Sequence, residues 1–320
     1  MAGSFGFESR LGVRAAAADF SCCVTRLHGG DAVLAGRSAA HHLPQAWREH
    51  PVWHSLSRFC QEWADPTSAL HAAVRELWLE FDVGNDPPGG MPLPSVFLGA
   101  SADAAAHGCL VERAIPLLLG APLPAAIERT LRVCTEALPA GAWVRHVGVM
   151  HARRPDALRL EIKDLSFDSL PAFFDRVGWP GAGDEPAAAL LQVARRAATP
   201  RTMLSLDVGP RIGPRVGLEC FAPAGPKWSP RWAALLDYLV AEGLCVPAKR
   251  AALLAWCGWA HEPEGDAVLP EQLAPLSDLV GLPARGVFVP RVSHIKVSYE
   301  RDRSLEAKAY VAVDLRWKLL

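Results

Sequence analysis

The sequence repeats one pattern five times: two short apolar runs joined by a turn, followed by stretches with helical spacing. The paired runs cover residues 20–27 and 32–37, 77–83 and 95–101, 144–150 and 157–165, 202–209 and 215–221, and 293–300 and 305–313. The turn of the first pair contains Gly29 and Gly30, and two glycines between apolar runs are typical of a β-hairpin. The pattern therefore predicts ten strands arranged as five consecutive hairpins.

The stretches between the hairpins place apolar residues three and four positions apart, which indicates helices. The predicted helices cover residues 53–75, 110–119, 127–138, 170–177, 187–197, 232–242 and 247–256. Ten strands joined as sequential hairpins most simply close into one antiparallel barrel, because closure leaves no unpaired sheet edge. We predict an α+β fold over residues 1–320, with a single ten-stranded barrel inside a ring of helices. An open sheet with its helices on one face is the alternative.

The predicted strands alternate apolar with polar residues, which gives each strand two different faces. In the run 157–165, Leu158, Leu160 and Ile162 share one face, and Arg159, Glu161 and Lys163 share the other. An open sheet would expose the polar face to water. In a closed barrel covered by helices, the polar face would instead line the lumen, which ten strands make wide enough for a ligand. The basic and phenolic side chains expected there are Arg37, Arg159, Lys163, Lys296, Lys308 and Tyr310.

Several classes of function are disfavoured by composition and by absent motifs. The chain has 33 Lys and Arg against 34 Asp and Glu, so it lacks the excess of positive charge typical of nucleic-acid-binding proteins. Its apolar runs fall short of the roughly 20 residues of a membrane span, and the start does not resemble a signal peptide. We therefore expect a cytoplasmic protein. The eight cysteines form no C-x-x-C pair, and phosphate-loop, G-x-S-x-G and H-E-x-x-H motifs are missing. These observations predict no metal-binding site.

The strand segments FSCCVTRLHGGDAVLAGR, ALRLEIKDL and LEAKAYVAV, with the five-fold repeat, resemble the ABBA prenyltransferases. The similarity is closest to the bacterial cyanobactin branch, which prenylates peptide natural products, and LEAKAYVAV is also similar to the K-x-Y strands of the fungal indole branch. The resemblance implies transfer of a dimethylallyl or longer prenyl group from an allylic diphosphate. The acceptor would be an aromatic or other nucleophilic group, on a peptide or a small molecule, and Mg²⁺ would bridge the diphosphate.

The resemblance also implies roles for individual residues. Six side chains would bind the diphosphate: Arg37, Arg159, Lys163, Lys296, Lys308 and Tyr310. Arg159 has the alternative of pairing with a neighbouring side chain. Glu80 would accept the proton that the acceptor loses, with Asp19 as the second choice. Trp78, Phe97 and His294 would line the pocket for the prenyl group and the acceptor.

The same strand faces carry carboxylates at Glu161, Asp207, Glu219 and Glu306. If these residues neutralise the lysines and arginines, the lumen would be a lattice of ion pairs. The protein would then be a non-catalytic barrel that binds a peptide or a small molecule. A scaffold that works through its helical exterior is a third hypothesis.

Overall fold

Ten strands form one closed antiparallel barrel in which each strand pairs with its neighbours in sequence and the first pairs with the last. The computed structural model describes residues 2–39, 41–83, 91–101, 104–151, 153, 156–181, 185–197, 201–221, 230–256, 284–300 and 303–319. The strands are β1 (Ala2–Arg10), β2 (Asp19–Val24), β3 (Val74–Phe81), β4 (Ser95–Ala100), β5 (Trp143–Val149), β6 (Leu158–Lys163), β7 (Arg201–Val208), β8 (Ile212–Phe221), β9 (Ala284–Glu300) and β10 (Glu306–Leu319). The predicted barrel is confirmed, and the open sheet is wrong.

In the described part of the chain, helices lie in the connections between hairpins and surround the barrel. The helices are α1 (Gly30–Leu34), α2 (Gln45–Glu49), α3 (Pro51–Trp63), α4 (Ala69–Ala73), α5 (Ala104–Cys109), α6 (Ile115–Leu119), α7 (Ala125–Glu136), α8 (Leu170–Val177), α9 (Glu185–Ala197), α10 (Pro230–Ala241) and α11 (Pro247–Trp256). A π-helical segment, Leu110–Ala114, joins α5 to α6. The predicted helix over 53–75 is two helices, since the Ser68 side chain accepts a hydrogen bond from the Leu70 amide and starts α4.

The apolar core lies between the barrel wall and the helices. The outward faces of the strands supply residues such as Leu77, Leu98, Leu160 and Leu206, all fully buried. They belong to one continuous cluster with aromatic side chains of α3, such as Trp53. Burying each leucine in this way contributes about 1.5–3 kcal/mol. Because the apolar face of each strand is buried against the helices, the polar face lines the lumen, as the alternation predicts.

The first hairpin differs from the prediction. The chain leaves β2 at Val24, passes through a short 3₁₀ turn, Arg26–His28, and enters α1, so the strand predicted over 32–37 is wrong. Gly29 adopts a left-handed backbone, with φ of 69°, and stands at the N-cap of α1. The hairpin partner of β2 is β1, in which Phe7 lies opposite Phe20.

The two ends of the barrel differ in how the strands are connected. At the hairpin end, the chain passes from the first strand of each hairpin to the second, and Asp19 and Asp82 lie at this end. At the crossover end, the strands lead into the helical connections, and Lys163 lies at this end. No helix in the described part of the chain has the length and apolar character needed to cross a membrane.

Candidate active site in the barrel lumen

Charged side chains line the lumen and are joined into ion pairs, some between neighbouring strands and others across an intervening strand. The pairs are Lys308 with Glu8, Lys296 with Glu219, Arg159 with Asp207, Arg145 with Glu76, His146 with Glu161, Arg153 with Asp82, and Arg215 with Glu306. Lys296 and Glu219 are register partners on β9 and β8, and Arg159 and Asp207 are register partners on β6 and β7. The lumen therefore brings together predicted diphosphate ligands, each of which already contacts a carboxylate.

Glu8 on β1 holds two of the predicted diphosphate ligands. Its Oε1 accepts a hydrogen bond from Nζ of Lys308, and its Oε2 accepts one from the hydroxyl of Tyr310. Burial by itself raises the pKa of Glu8, but the charge of Lys308 and the hydrogen bonds from Lys308 and Tyr310 lower it to about 2. Burial and the nearby carboxylates raise the pKa of Tyr310 well above its ordinary value. Tyr310 therefore stays a neutral hydrogen-bond donor.

Lys296 and Glu219 form the second central pair, with Nζ 2.9 Å from Oε1. The two side chains are only 7% and 3% exposed. Burial raises the pKa of Glu219 to about 7, against the opposing charge of Lys296. The stem of Lys296 lies over Gly217 of β8. A Cβ added at Gly217 would stand only 2.7 Å from Cε of Lys296.

We expect Gly217→Ala to push Lys296 away from Glu219. Its new methyl group requires the buried lysine to move, so the free energy of unfolding should fall by about 1–3 kcal/mol. Chemical denaturation measures this change. Gly12→Ala is the control, because its Cβ meets the nearest atom at an ordinary 3.5 Å. Equal stability of the two variants would contradict the packing of Lys296 over Gly217.

An aromatic stack forms one wall of the lumen beside these pairs. The His294 ring stacks on Tyr310 with a centroid distance of 4.1 Å and contacts Phe221 at 4.8 Å. Burial, helped by the charge of Lys296, lowers the pKa of His294 to about 3, so the ring is neutral at neutral pH. The stack thus presents uncharged aromatic surface next to the charged centre.

Trp78 and Phe97 lie opposite each other on β3 and β4 and face the lumen. The Phe97 ring lies over Gly148 of β5, where a Cβ would approach it to 2.6 Å. Phe97 is buried, but it stands apart from the apolar core outside the barrel. The pocket residues expected from the sequence therefore all reach the lumen, with His294 on the opposite side of the barrel.

Glu80 on β3 faces the lumen at the level of Glu8. Burial and the charge of Glu8 raise its pKa to about 7, and the charge of Arg153, whose Nη1 is 3.9 Å from Oε2, opposes this rise. Burial and the charge of Glu8 also raise the pKa of Asp19, which accepts a hydrogen bond from the Val83 amide at 3.1 Å. A cavity of about 10 Å³ lies between Glu8, Asp19, Phe20, Ser21, Glu80, Arg153 and Tyr310. Glu80 and Asp19 thus border the same cavity, and Glu80 is able to exchange a proton near neutral pH.

Two predicted diphosphate ligands lie away from this centre. Lys163 stands at the crossover end, where its Nζ is 3.8 Å from Asp164 and 5.5 Å from the centre of the Trp143 ring. Arg37 follows α1 outside the barrel, and its Nη2 donates to the Gln61 carbonyl of α3 at 3.2 Å. The predicted lumen position of Arg37 is therefore wrong, because the apolar run before it is helical.

The resemblance implies that the protein binds and turns over an allylic diphosphate, and we expect Arg37→Ala to leave both within about twofold of the unmodified protein, because one exposed hydrogen bond contributes little. Steady-state kinetics with an allylic diphosphate measures this effect. A loss of activity comparable to that expected for a lumen lysine would contradict the position of Arg37 outside the barrel.

Sequence reasoning missed several lumen residues. Glu8 lies on β1, which the hairpin pattern does not include, although Phe5 and Phe7 alternate there with Gly6 and Glu8. Arg153 lies between β5 and β6 and reaches Asp82 after β3, which no strand pattern reveals. Although burial lowers the pKa of His146, its hydrogen bonds with Glu161 and Glu76 raise it to about 9, so His146 adds a positive charge.

The donor set of the lumen determines whether it suits a metal ion. Within the described ranges, no group of three or more His, Cys, Asp or Glu side chains is arranged to hold a metal ion. The lumen carboxylates instead contact lysine, arginine or histidine, as in the pairs above. These residues do not fit a resident metal cofactor.

Comparison with known proteins gives matches among solved structures. No protein-family model matches the chain, and no curated protein matches it. Prenyltransferase PriB without ligands is 17% identical, with a TM-score of 0.52 over 97% of this chain and 79% of that one. The PriB ternary complex with L-tryptophan and dimethylallyl thiolodiphosphate is 18% identical, with a TM-score of 0.50 over the same shares. The 5-dimethylallyltryptophan synthase from Streptomyces coelicolor is 14% identical, with a TM-score of 0.50 over 96% of this chain and 80% of that one. These similarities confirm the barrel fold that the resemblance implies.

Proposed function

We propose that this chain, which has the ten-stranded barrel fold of solved prenyltransferases, transfers a prenyl group from an allylic diphosphate to an aromatic acceptor. The observation that carries the proposal is the meeting of Lys296, Lys308 and Tyr310 in the centre of a closed lumen. Two ammonium groups and a phenol at adjacent lumen-facing positions of a buried site are suited to a diphosphate, as charges and hydrogen-bond donors. Residues 1–320 would act as one functional unit.

The chemistry requires the lumen to stabilise a leaving diphosphate. The allylic C–O bond breaks, and its electron pair stays on the diphosphate, whose added charge Lys296, Lys308 and Arg159 would neutralise. The acceptor's electrons then form the new C–C, C–N or C–O bond to the allylic cation. The proton that the acceptor loses passes to Glu80, with Asp19 as the alternative proton acceptor. The overall products are the prenylated acceptor, diphosphate and one proton.

The aromatic residues of the lumen would protect the allylic cation. Trp78, Phe97 and the His294 ring present π-faces that stabilise a cation and exclude water from it. A neutral His294 serves this role better than a charged imidazolium, which would repel the cation.

The acceptor and the cellular setting are part of the proposal. PriB has been solved with L-tryptophan, which supports an indole acceptor. The resemblance to the bacterial cyanobactin branch supports a tryptophan or another nucleophilic side chain within a peptide. Mg²⁺ would enter bound to the diphosphate as part of the substrate. The seven described cysteines are free thiols, which supports a reducing, cytoplasmic setting.

The ion pairs support a second candidate function, a non-catalytic barrel that binds a peptide or a small molecule. The lumen pairs, such as Lys308 with Glu8 and Lys296 with Glu219, already neutralise the cations that a diphosphate would need. This candidate predicts binding of an acceptor-like ligand without any dependence on a prenyl diphosphate.

Mass spectrometry of products distinguishes the two functions. The protein is incubated with Mg²⁺, dimethylallyl or geranyl diphosphate, and acceptors that include free tryptophan and peptides containing Trp, Tyr, Arg or His. We expect the mass of at least one acceptor to increase by one C5H8 unit or a multiple of it. Transfer only to peptides would assign a peptide acceptor. No transfer to any acceptor, together with no thermal stabilisation by dimethylallyl thiolodiphosphate, would overturn the proposal in favour of the binding barrel.

A further inference from the structure

Carboxylates of the lumen are already paired with the lysines that the proposed diphosphate donor would need. Glu219 contacts Nζ of Lys296 at 2.9 Å, and both side chains are buried. The cavity beside Tyr310 has a volume of about 10 Å³, which is too small for a diphosphate. Because Lys296 and Glu219 are buried against each other, a diphosphate that binds Lys296 competes with the Glu219 carboxylate for it.

A hydrogen-bond acceptor stands next to the carboxylate oxygen of Glu219 that Lys296 does not contact. Nε2 of His294 lies 3.6 Å from Oε2 of Glu219, and it has no hydrogen-bond partner among the described residues. Nδ1 of the same ring lies 3.2 Å from Oγ of Ser293, to which it donates when the proton is on Nδ1. Nε2 then carries a lone pair, and a protonated Glu219 could donate a hydrogen bond to it after a shift of a few tenths of an ångström.

We propose that Glu219 is the built-in counter-ion of Lys296, and that a diphosphate displaces it by making it take up a proton, which it then shares with Nε2 of His294. This inference rests on the proposed function, because it concerns how the same site accepts the diphosphate. The step is balanced by one proton from solvent that binds to Oε2 of Glu219. No covalent bond is made or broken.

The groups around Glu219 favour this exchange. Lys296 and His294 face it from β9, Tyr310 from β10, Glu161 from β6 and His146 from β5. Even with Lys296 paired to it, Glu219 has a pKa of about 7, so its carboxylate takes up a proton readily near neutral pH. A diphosphate adds negative charge beside Glu219 and Glu161 and takes over Lys296, and both changes favour the protonated acid.

Glu8 provides a useful contrast. It accepts hydrogen bonds from both Lys308 and Tyr310, which hold its pKa at about 2. Glu8 therefore stays ionised through the neutral range. Proton uptake on binding of a diphosphate is expected at Glu219 and not at Glu8.

Titration calorimetry with inorganic pyrophosphate tests the inference without requiring transfer. Binding is measured in two buffers of different ionisation enthalpy, at a pH just above the pKa of Glu219 of about 7. We expect Glu219→Gln to bind pyrophosphate about tenfold more tightly or better, because one competing charge is gone. The variant should also take up between about half a proton and one proton less than the unmodified protein. Protonation of pyrophosphate itself contributes equally to both measurements.

Two further variants make the result specific. Glu62→Gln removes a carboxylate that pairs with Arg113 in the helical layer, and it should bind pyrophosphate like the unmodified protein. His294→Phe keeps an aromatic ring in the stack but removes Nε2. It should weaken binding about two- to tenfold near neutral pH and recover at lower pH, and it supplies the test if Glu219→Gln does not fold.

Equal affinity and equal proton uptake for the unmodified protein and Glu219→Gln would overturn the inference, as would a lack of binding by both. These readouts are separate from product formation. If the variants differ as expected but no acceptor is prenylated, only the proposed function fails. If transfer occurs and Glu219→Gln changes nothing, only the inference fails.

Discussion

Lys308→Met should lower kcat/KM for the prenyl donor by about 10²–10³-fold, the loss typical when one group that stabilises a developing negative charge is removed. In the structure Lys308 is 8% exposed and contacts Glu8, the carboxylate that also holds Tyr310. Methionine keeps most of the volume of the lysine stem and removes its charge and its N–H donors. Steady-state kinetics with varied donor concentration measures the loss.

Removal of Lys308 alone also leaves Glu8 buried without its cation, and breaking a buried pair costs about 3–5 kcal/mol of stability. The control is the double variant Lys308→Met with Glu8→Gln, in which the glutamine still bonds to Tyr310. The double variant should recover most of the lost stability but not the activity. If it regained full activity, Lys308 would have only a structural role, and the proposed diphosphate site would be wrong.

Glu80→Gln should lower kcat/KM by about 10²–10⁴-fold, because the variant lacks the carboxylate that takes the proton from the prenyl acceptor. The free carboxylate is present above its pKa of about 7, so the activity of the unmodified protein should rise with pH up to this value. This acidic limb should disappear in the variant. A falling limb at higher pH, caused by the loss of the proton from Glu219 that donor binding requires, should remain. A pH profile of kcat/KM for both proteins measures these limbs.

The pH dependence of folding stability tests the raised pKa of Glu80 independently of catalysis. The pKa of Glu80 is raised from its ordinary value of 4.5 to about 7, so the folded state holds a proton that the unfolded state releases between these values. Stability contributed by this group is therefore lost as pH rises from about 4.5 to about 7. Above this range Glu80→Gln should be more stable than the unmodified protein, by about 1–3 kcal/mol. Glu62→Gln, on the helical surface, should show no such gain. A variant that is less stable at every pH would contradict the desolvated state of Glu80.

The fold could be predicted from the sequence where a strand alternates strictly. In β6, Leu158, Leu160 and Ile162 pack against helices, and Arg159 faces the lumen, as a period of two requires. The first hairpin could not be identified in the same way. The apolar run 32–37 fits a strand as well as a short helix, and the pairing of β1 with both β2 and β10 decides between them, because it leaves no place in the barrel for a strand at 32–37.

The site could be predicted in its composition but not in its pairing. Alternation brings Lys296, Lys308 and Tyr310 into the lumen, whereas the partner of each cation depends on strand register. Lys308 and Glu8 are 300 positions apart and meet only because the first strand closes the barrel against the last. The pKa shifts of Glu8 and Glu80 arise from these contacts and from burial, which no local sequence pattern contains.

Binding of dimethylallyl thiolodiphosphate, a donor analogue that resists ionisation, tests the central claim most directly. Calorimetry would compare the unmodified protein with a double variant, Lys296→Met with Glu219→Leu, which replaces one buried ion pair by apolar side chains of similar size. We predict that the unmodified protein binds the analogue, and that the double variant remains folded but binds it at least about 100-fold more weakly. Equal binding by a folded double variant, or no binding by the unmodified protein, would contradict a diphosphate site in the barrel lumen.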